Sequence, residues 1–400
     1  MMGHYDKLET RSADQRHSEQ SAALTAILGG ITVAPDEWRA SAARVRSADD
    51  LAKLPVLRKS DLSAMQKARP PFGGIETANI RHYFQSPGPI YEPGGTSHDW
   101  WRMGRFLFAC GIGAGDIVQN CFSYHMTPAG MIFENAARAV GASVFPAGTG
   151  QSELQVRAAS DIGVTAYAGT PDYLKIILDK ADAMGVDLSH ITRAAVGGGA
   201  LFPSLRQEYA DRGIACLQGY ATADLGNIAY ETPALEGMIV DEGVIVEIVT
   251  PGTGDPVAAG DVGEVVVTSL NADYPLIRFA TGDLSAILPG TSPCGRTNMR
   301  IRGWLGRADQ TTKIKGMFVR PEQVAALVAR NQAIRKARVI ATREGERDVM
   351  TVQVETLAKD KAGFETSVLE TLKLRGNVIM MPPGSLPNDG KVIDDQRSYD

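Results

Sequence analysis

Four hundred residues with 44% hydrophobic and 22% charged side chains give ordinary globular composition, with length for about two or three domains. The net charge of −5 leaves no basic footprint, so neither nucleic acid nor an anionic membrane is expected as a partner. The four cysteines, Cys110, Cys121, Cys216 and Cys294, form no C-x-x-C pair, which argues against a zinc ribbon or a disulfide framework and for buried thiols in a reducing compartment.

Along the chain, Met1 to Ser21 is polar and charged where a secretory leader needs an apolar stretch. No run reaches the roughly 18 apolar residues of a membrane span, and a cytoplasmic location is expected. From Asp116 to Ala221, short β-rich runs alternate with amphipathic ones, the pattern of a parallel sheet covered by helices. The strand candidates are DIVQNCFSY, ASVFPAG, VTAYAGT, TRAAVGGG and IACLQGY. Between them lie the helix candidates PAGMIFENAARAVG, SELQVRAASDIG, PDYLKIILDKADAMG and FPSLRQEYADRG, each closed by glycine, the favoured helix stop. In the third helix Thr170 is placed to cap, Pro171 suits the first helical position, and Leu174, Ile177 and Leu178 share one face.

After Glu231 the period changes to two. GVIVEIV and GEVVVTSL, joined by TPGTGDPVAAGD, read as a separate β layer. From Gly306 the order is strand TTKIKG, helix PEQVAALVAR, strands KARVIATRE and DVMTVQVET, helix GFETSVLETLKLRG and strand NVIMM, a small α+β domain. The fold class expected is therefore α/β, with a large domain over 1–305 and a small one over 306–400.

The common nucleotide and hydrolase motifs are missing. The stretch closest to a phosphate-binding Walker loop, Gly384 to Lys391, has five residues between its glycines and Val392 after the lysine. No G-x-G-x-x-G follows the first strand, and there is no H-E-x-x-H or G-x-S-x-G, so dehydrogenase, zincin and α/β-hydrolase chemistry lack their residues. What remains is four polar clusters at strand ends and turns, where an α/β scaffold carries its site. They are QGYATADLGNIAYE (218–231), YPLIRFATGDLS (274–285), GRADQTTKIKGMFVRPEQV (306–324) and GSLPNDGKVIDDQR (384–397).

In order and spacing these clusters resemble the motifs of adenylate-forming enzymes, specifically the phenylacetate-CoA ligase branch. YDKLETRSADQR, LPVLRKSDL, GASVFPAGTGQSE and TPDYL extend the likeness over nearly the whole chain. The resemblance implies a large N-terminal domain and a small mobile C-terminal one, with the active site between them. It implies ATP-dependent activation of a carboxylic acid, aryl or arylacetic, to an acyl-AMP, followed by thioester formation with coenzyme A. ATP, Mg²⁺ and coenzyme A are the cofactors so implied, and a homodimer is consistent with the family.

Carried over position by position, Asp283 resembles the carboxylate that accepts the ribose hydroxyls, a role suited to two charge-assisted hydrogen bonds. Tyr220 and Ala221 would lie near the adenine or the acyl pocket. Asp224 stands where the family has a Glu that helps hold Mg²⁺, its carboxylate withdrawn by about one bond. Gly197, Gly198 and Gly199 resemble the adenine-contacting segment, where small residues let the backbone approach. Arg307 resembles the arginine that reaches the nucleotide, Asp309 the hinge, and Lys315 and Gly316 the turn that faces coenzyme A. Lys391 resembles the lysine that stabilises charge at the α-phosphate. Tyr124, His125, Met126, Pro128, Ala200 and Ala221 are candidates to line the acyl pocket. A turn residue at Asp283, a solvated Lys315 or Lys391 and a strand-end His125 with no role in binding are the plain structural alternatives.

One stretch departs from the family pattern. Where the phosphate loop is Ser/Thr/Gly-rich and ends in Lys-Pro, residues 84–93 read FQSPGPIYEP, and only Ser86, Gly88 and Pro93 keep its character. Glu92 occupies the neighbourhood of the family lysine, and the prolines remove backbone donors. Losing two or three hydrogen bonds to phosphate, roughly 1.5 to 3 kcal/mol each, would cost decades in rate unless Gly88, Gly94, Gly95, Thr96 or Arg81 compensates. The alternative function is accordingly an ATP-independent acyltransferase or a ligand-binding protein.

Overall fold

The computed structural model describes residues 3–31, 36–75, 77–86, 89–199, 201–308, 310, 312–315, 317–344, 347–387 and 391–397. The chain opens with α1 (Ala13–Gly30), begun by Ser12, whose hydroxyl accepts from the Gln15 N–H at 3.1 Å. Next come α2 (Asp36–Ala42), α3 (Lys59–Ala68), and a hairpin of β1 (Ile80–Ser86) with β2 (Ile90–Gly95).

The α/β region starts with α4 (Gly104–Ala109) and β3 (Ile117–Asn120), then α5 (Ala129–Ala139), β4 (Ser143–Phe145), α6 (Ser152–Ile162) and β5 (Ala166–Gly169). It continues through α7 (Pro171–Met184), β6 (Arg193–Val196), α8 (Pro203–Asp211) and β7 (Ala215–Thr222). All five expected strands and all four expected helices form. Gly163 and Gly185 close α6 and α7 at φ of 69° and 64°, a left-handed conformation that a side chain disfavours.

On α7 the three-residue apolar face is buried as its spacing requires: Leu174 and Ile177 are fully covered and Leu178 nearly so. Its cap differs from expectation. Thr170 holds the N-cap position in extended conformation, but its side chain makes no capping hydrogen bond. Pro171 at the first turn removes one of the N–H groups that would have needed a partner.

Strands β4-β3-β5-β6-β7 pair in parallel in that order. β8 (Gly226–Glu231), β9 (Met238–Val240), β13 (Ile287–Leu288) and β14 (Arg300–Ile301) extend the sheet to nine strands, and β7-β8, β8-β9 and β9-β14 are antiparallel. Because β3 pairs with β4 on one side and β5 on the other, the winding reverses there, and a crevice at the carboxyl ends of the strands follows.

The expected β layer is present as β10 (Val244–Val249) and β11 (Gly263–Ser269). It gains a third strand, β12 (Phe279–Ser285), in the order β10-β11-β12. The C-terminal α+β region contains a short hairpin of β15 (Thr312–Ile314) and β16 (Met317–Val319), then α9 (Pro321–Arg330). The long hairpin β17 (Lys336–Glu344) with β18 (Arg347–Glu355) follows, then α10 (Lys361–Leu372), β19 (Asn377–Met381) and β20 (Ile393–Asp395). Its sheet runs β19-β18-β17-β20. Val324 and Leu327 of α9 and Phe364 and Val368 of α10 bury against Val339, Ala341, Val352 and Val354 in one core.

By compactness the chain divides into two units. One comprises Met1–Val246, Val267–Phe279 and Leu288–Trp304; the other comprises Glu247–Val266, Ala280–Ile287 and Leu305–Asp400. All four cysteines are free, three of them buried and Cys294 half-buried.

Candidate active site

In the first unit, the expected nucleotide and acyl residues collect after the carboxyl ends of parallel strands. Tyr124, half-buried, follows β3, and its hydroxyl accepts from the Asn120 side-chain amide at 2.8 Å. The same amide donates to the Gly130 carbonyl at 2.8 Å, fixing the β3–α5 turn. Burial, and then Glu134 nearby, push the Tyr124 phenol well above its usual range, so it stays a neutral donor. His125 is exposed and its N–H donates to the Ser123 hydroxyl at 3.1 Å. Met126 is exposed, and its carbonyl accepts from the Gln85 N–H of β1 at 2.8 Å, which brings the hairpin beside the acyl-pocket candidates.

Gly197, Gly198 and Gly199 leave β6, with Gly198 at φ 69°, and the Gly199 carbonyl accepts from the Gln218 side chain at 2.9 Å. Tyr220 and Ala221 lie in β7, where a register shift against β8 falls between them and re-aims successive side chains. Gly88, Ala200, Asp309 and Gly316 lie outside the described residues.

Asp224 sits in the β7–β8 turn with its side chain almost fully covered. Lys59, the first residue of α3, reaches it with Nζ 3.0 Å from Oδ2. Its other oxygen, Oδ1, is buried without a partner among the described residues. A lone oxygen of this kind fits a hard cation such as Mg²⁺, which takes one or two carboxylates and completes its shell with phosphate and water. Among the described residues no three His, Cys, Asp or Glu side chains gather to hold a metal by themselves.

The loop that departs from the family pattern turns its acid inward. Glu92 of β2 is completely buried, and its carboxylate accepts from both the N–H of Ser86, at 3.1 Å, and the Ser86 hydroxyl. Ser86 therefore spends its two donors on a neighbouring carboxylate. Burial, with Asp224 adding repulsion, pushes the Glu92 carboxyl up to about 7, against the opposing pull of Ser86 and Lys59. Tyr274, also buried, has its phenol pushed up by burial and then by the fields of Asp224 and Glu92. Lys59 and Tyr274 received no role from the sequence. Lys59 lies within LPVLRKSDL, but nothing local links it to a residue 165 positions on.

In the second unit the TGD segment lies within strand β12, so Asp283 is a strand residue and not a turn residue, and it is braced by its neighbours. The Thr281 hydroxyl donates to the Val265 carbonyl at 3.0 Å and accepts from the Asp283 N–H at 3.1 Å. The Ala308 N–H donates to the Gly282 carbonyl at 2.7 Å. Arg307 Nη1 lies 2.8 Å from Asp283 Oδ1, so two residues expected to meet the nucleotide separately are paired with each other. Gly282 makes the approach possible: its φ is 75°, and a Cβ there would stand 2.7 Å from Arg307 Nη2.

Lys315 occupies the exposed turn between β15 and β16 at φ 48°, its N–H donating to Asp348 at 3.0 Å. Lys391 is half-exposed, with Nζ 3.1 Å from Asp394 Oδ1. It lines a cavity of about 650 Å³ whose other walls include Asp255, Val257, Val324, Val328 and Glu355. Just after it, the N–H groups of Val392 and Ile393 both donate to the Gln310 side-chain oxygen, at 2.5 and 2.6 Å.

The family model described as AMP-binding enzyme matches residues 102–272. The phenylacetate-coenzyme A ligase of Escherichia coli K12 is 28% identical over 383 residues, which cover 88% of this chain and 84% of that protein. Those of Thermus thermophilus and Aromatoleum evansii are 27% and 28% identical, covering 78% and 82% of this chain and 73% and 77% of theirs. Among solved structures, 2-hydroxyisobutyryl-CoA ligase in an open conformation, in complex with 2-HIB-AMP and CoA, superposes with a TM-score of 0.71 at 21% identity. That match covers 95% of this chain and 91% of that one. The same ligase in its thioesterification state gives 0.69 at 22% identity, covering 98% of this chain and 92% of that one, so the fold is shared. With the motif residues in order, relatives matched over most of their length and the fold in common, the chain is similar throughout to the phenylacetate-CoA ligases and carries an AMP-binding enzyme region over residues 102–272.

Proposed function

We propose that the protein activates a carboxylic acid, aryl or arylacetic, with ATP to give an acyl-AMP and then transfers the acyl group to coenzyme A. The observation that supports this reading is the braced TGD segment of β12, whose Asp283 carboxylate, the residue that resembles the family's ribose ligand, has a guanidinium 2.8 Å away. Each hydrogen bond from a ribose hydroxyl to that carboxylate would contribute about 1.5 to 3 kcal/mol.

In this reading Tyr124, His125 and Ala200 line the acid's pocket, and Gly198, Gly199, Tyr220 and Ala221 accommodate adenine. Ser86 and Gly88 donate to phosphate. Asp224 is the protein's ligand for Mg²⁺, which when bound neutralises phosphate charge. Lys391 places an ammonium where negative charge grows as the acid attacks the α-phosphorus and pyrophosphate leaves, and Arg307 supports the nucleotide. Residues 306–400 are proposed as the mobile domain, Asp309 as its hinge, and Lys315 with Gly316 as the turn that meets coenzyme A. A cytoplasmic location fits the four free thiols, and a homodimer fits the family.

A second reading has an observation of its own. The Ser86 donors are already satisfied by Glu92, which favours a protein that binds its ligands without adenylating, as an ATP-independent acyltransferase or binding protein. ATP–pyrophosphate exchange with Mg²⁺ and a panel of aryl and short-chain acids separates the two. Acid-dependent exchange that disappears in Lys391→Ala supports the ligase; absence of exchange with every acid, in folded protein that binds nucleotide, supports the second reading.

A further inference from the structure

The hairpin and the β7–β8 turn of the first unit have each solved the same electrostatic problem with the chain's own side chains. Ser86, a residue of the altered phosphate loop that keeps the family's character, gives both its N–H and its hydroxyl to a carboxylate. Asp224, a buried carboxylate, takes an ammonium from Lys59 at 3.0 Å and leaves its second oxygen unmatched among the described residues. An anion on the donors and a cation on the acceptor are the two halves of a metal–triphosphate.

On the adenylate-forming reading, on which this inference rests, we propose that Glu92 and Lys59 are internal stand-ins for the triphosphate and its cation, and that Glu92 sets how weakly this enzyme holds triphosphate and pyrophosphate relative to AMP. The chemistry is exchange without bond-making. An incoming phosphate oxygen takes the Ser86 N–H and hydroxyl, and Glu92 gives them up. When pyrophosphate departs, Glu92 returns to Ser86, so the loop that lost its hydroxyl-rich run keeps its donors satisfied in both states. Buried donors left bare would be costly, and the carboxylate removes that cost at the expense of affinity for the β- and γ-phosphates.

The position of the acid suits this use. Glu92 faces Phe84 across the hairpin, two ladder positions from the Ser86–Ile90 pair at the turn, and this short closed path returns its carboxylate to the Ser86 backbone. Around it stand Lys59 and Gln66 of α3, Asp224 of the β7–β8 turn and Tyr274, and Gln66 itself is spent on the Tyr91 backbone at 2.7 and 2.8 Å. Lys59, with its side chain about two-fifths exposed, is placed to leave Asp224 for solvent or for phosphate when a cation arrives.

The test is calorimetric binding of AMP, pyrophosphate and the non-hydrolysable analogue α,β-methylene-ATP, with Mg²⁺, to the full chain as wild type, Glu92→Gln and Ser86→Ala/Glu92→Gln. Glu92→Gln is expected to tighten the analogue and pyrophosphate about tenfold, equivalent to about 1.4 kcal/mol, and to leave AMP unchanged. Adding Ser86→Ala is expected to abolish the gain, because the phosphate then lacks the hydroxyl that Glu92 released. A gain that survives without Ser86, or an analogue affinity in Glu92→Gln equal to or weaker than wild type while wild type binds both nucleotides, overturns the proposal. Wild type that binds neither AMP nor the analogue overturns the nucleotide reading itself, and this proposal with it. Should Glu92→Gln melt well below wild type, Glu92→Asp, which draws the carboxylate back from Ser86 by one methylene, carries the test with the same sign.

Discussion

Arg307 and Asp283 meet at 2.8 Å beside Gly282, where a Cβ would press on the Arg307 guanidinium. Gly282→Ala forces an L-residue to φ 75° and sets a methyl against the guanidinium. A loss of about 1 to 2 kcal/mol is expected, read as a lower urea midpoint at unchanged slope. Asp283→Asn keeps the shape and removes the charge, and a rise in KM for ATP of about ten- to a hundredfold is expected, with little change in the melting temperature.

The buried acid of the hairpin makes stability depend on pH in an uncommon direction. Glu92 is raised from 4.5 to about 7, so the folded state holds its proton more tightly than the unfolded chain does. The resulting stability is fully present below about pH 4.5 and is lost as pH rises through about 7, up to about 3 kcal/mol at 1.36 kcal/mol per pH unit. The difference between wild type and Glu92→Gln isolates this from other carboxylates. Urea melts from pH 5 to 8 are expected to show wild type losing ground steadily to the variant, and a constant difference would refute the assignment.

Lys59 is the cation partner of a carboxylate with almost no access to water. Lys59→Met leaves Asp224 buried and uncompensated, and a loss of about 1 to 3 kcal/mol is expected, smaller than for a fully buried pair because Lys59 itself is partly solvated. Lys59→Arg is expected to keep most of the stability. Millimolar Mg²⁺ is expected to return part of what Lys59→Met loses, measured as a shift in melting temperature that Asp224→Asn abolishes.

Thr170 tests the difference between a cap position and a cap. Its side chain makes no hydrogen bond to the start of α7, so Thr170→Ala is expected to cost under about 0.5 kcal/mol rather than the usual ~1. Leu174→Ala, one turn further along and fully buried, is expected to cost about 2 to 5 kcal/mol in the same denaturation assay.

The sequence made the α/β core legible because its signals are local and repeated: apolar spacing along α7, glycines after α6 and α7, and β-branched runs between them. The short strands β16 and β20 escaped because three residues such as Ile393–Asp395 carry no period to detect. In the candidate site, residue identity was legible and pairing was not. Asp283 with Arg307, Lys59 with Asp224 and Glu92 with Ser86 are bonds whose geometry depends on the folded backbone, and the first two span 24 and 165 positions. That Glu92 turns inward could not be read from a stretch matched only to a phosphate loop, where an acid stood in the neighbourhood of the family lysine.

The single oxygen of Gln310 that receives the amides of both Val392 and Ile393 makes one side chain the fastener for a segment 82 positions away. Two successive N–H groups converging on one atom fix the direction of the chain as well as its place, much as an oxyanion hole fixes a carbonyl. Lys391, immediately before the fastened pair, therefore inherits its anchorage from a glutamine in the stretch that begins at Gly306. The two ends of this C-terminal region are tied at the level of the backbone, and a displacement of residue 310 is carried to the lysine without passing through the hydrophobic core.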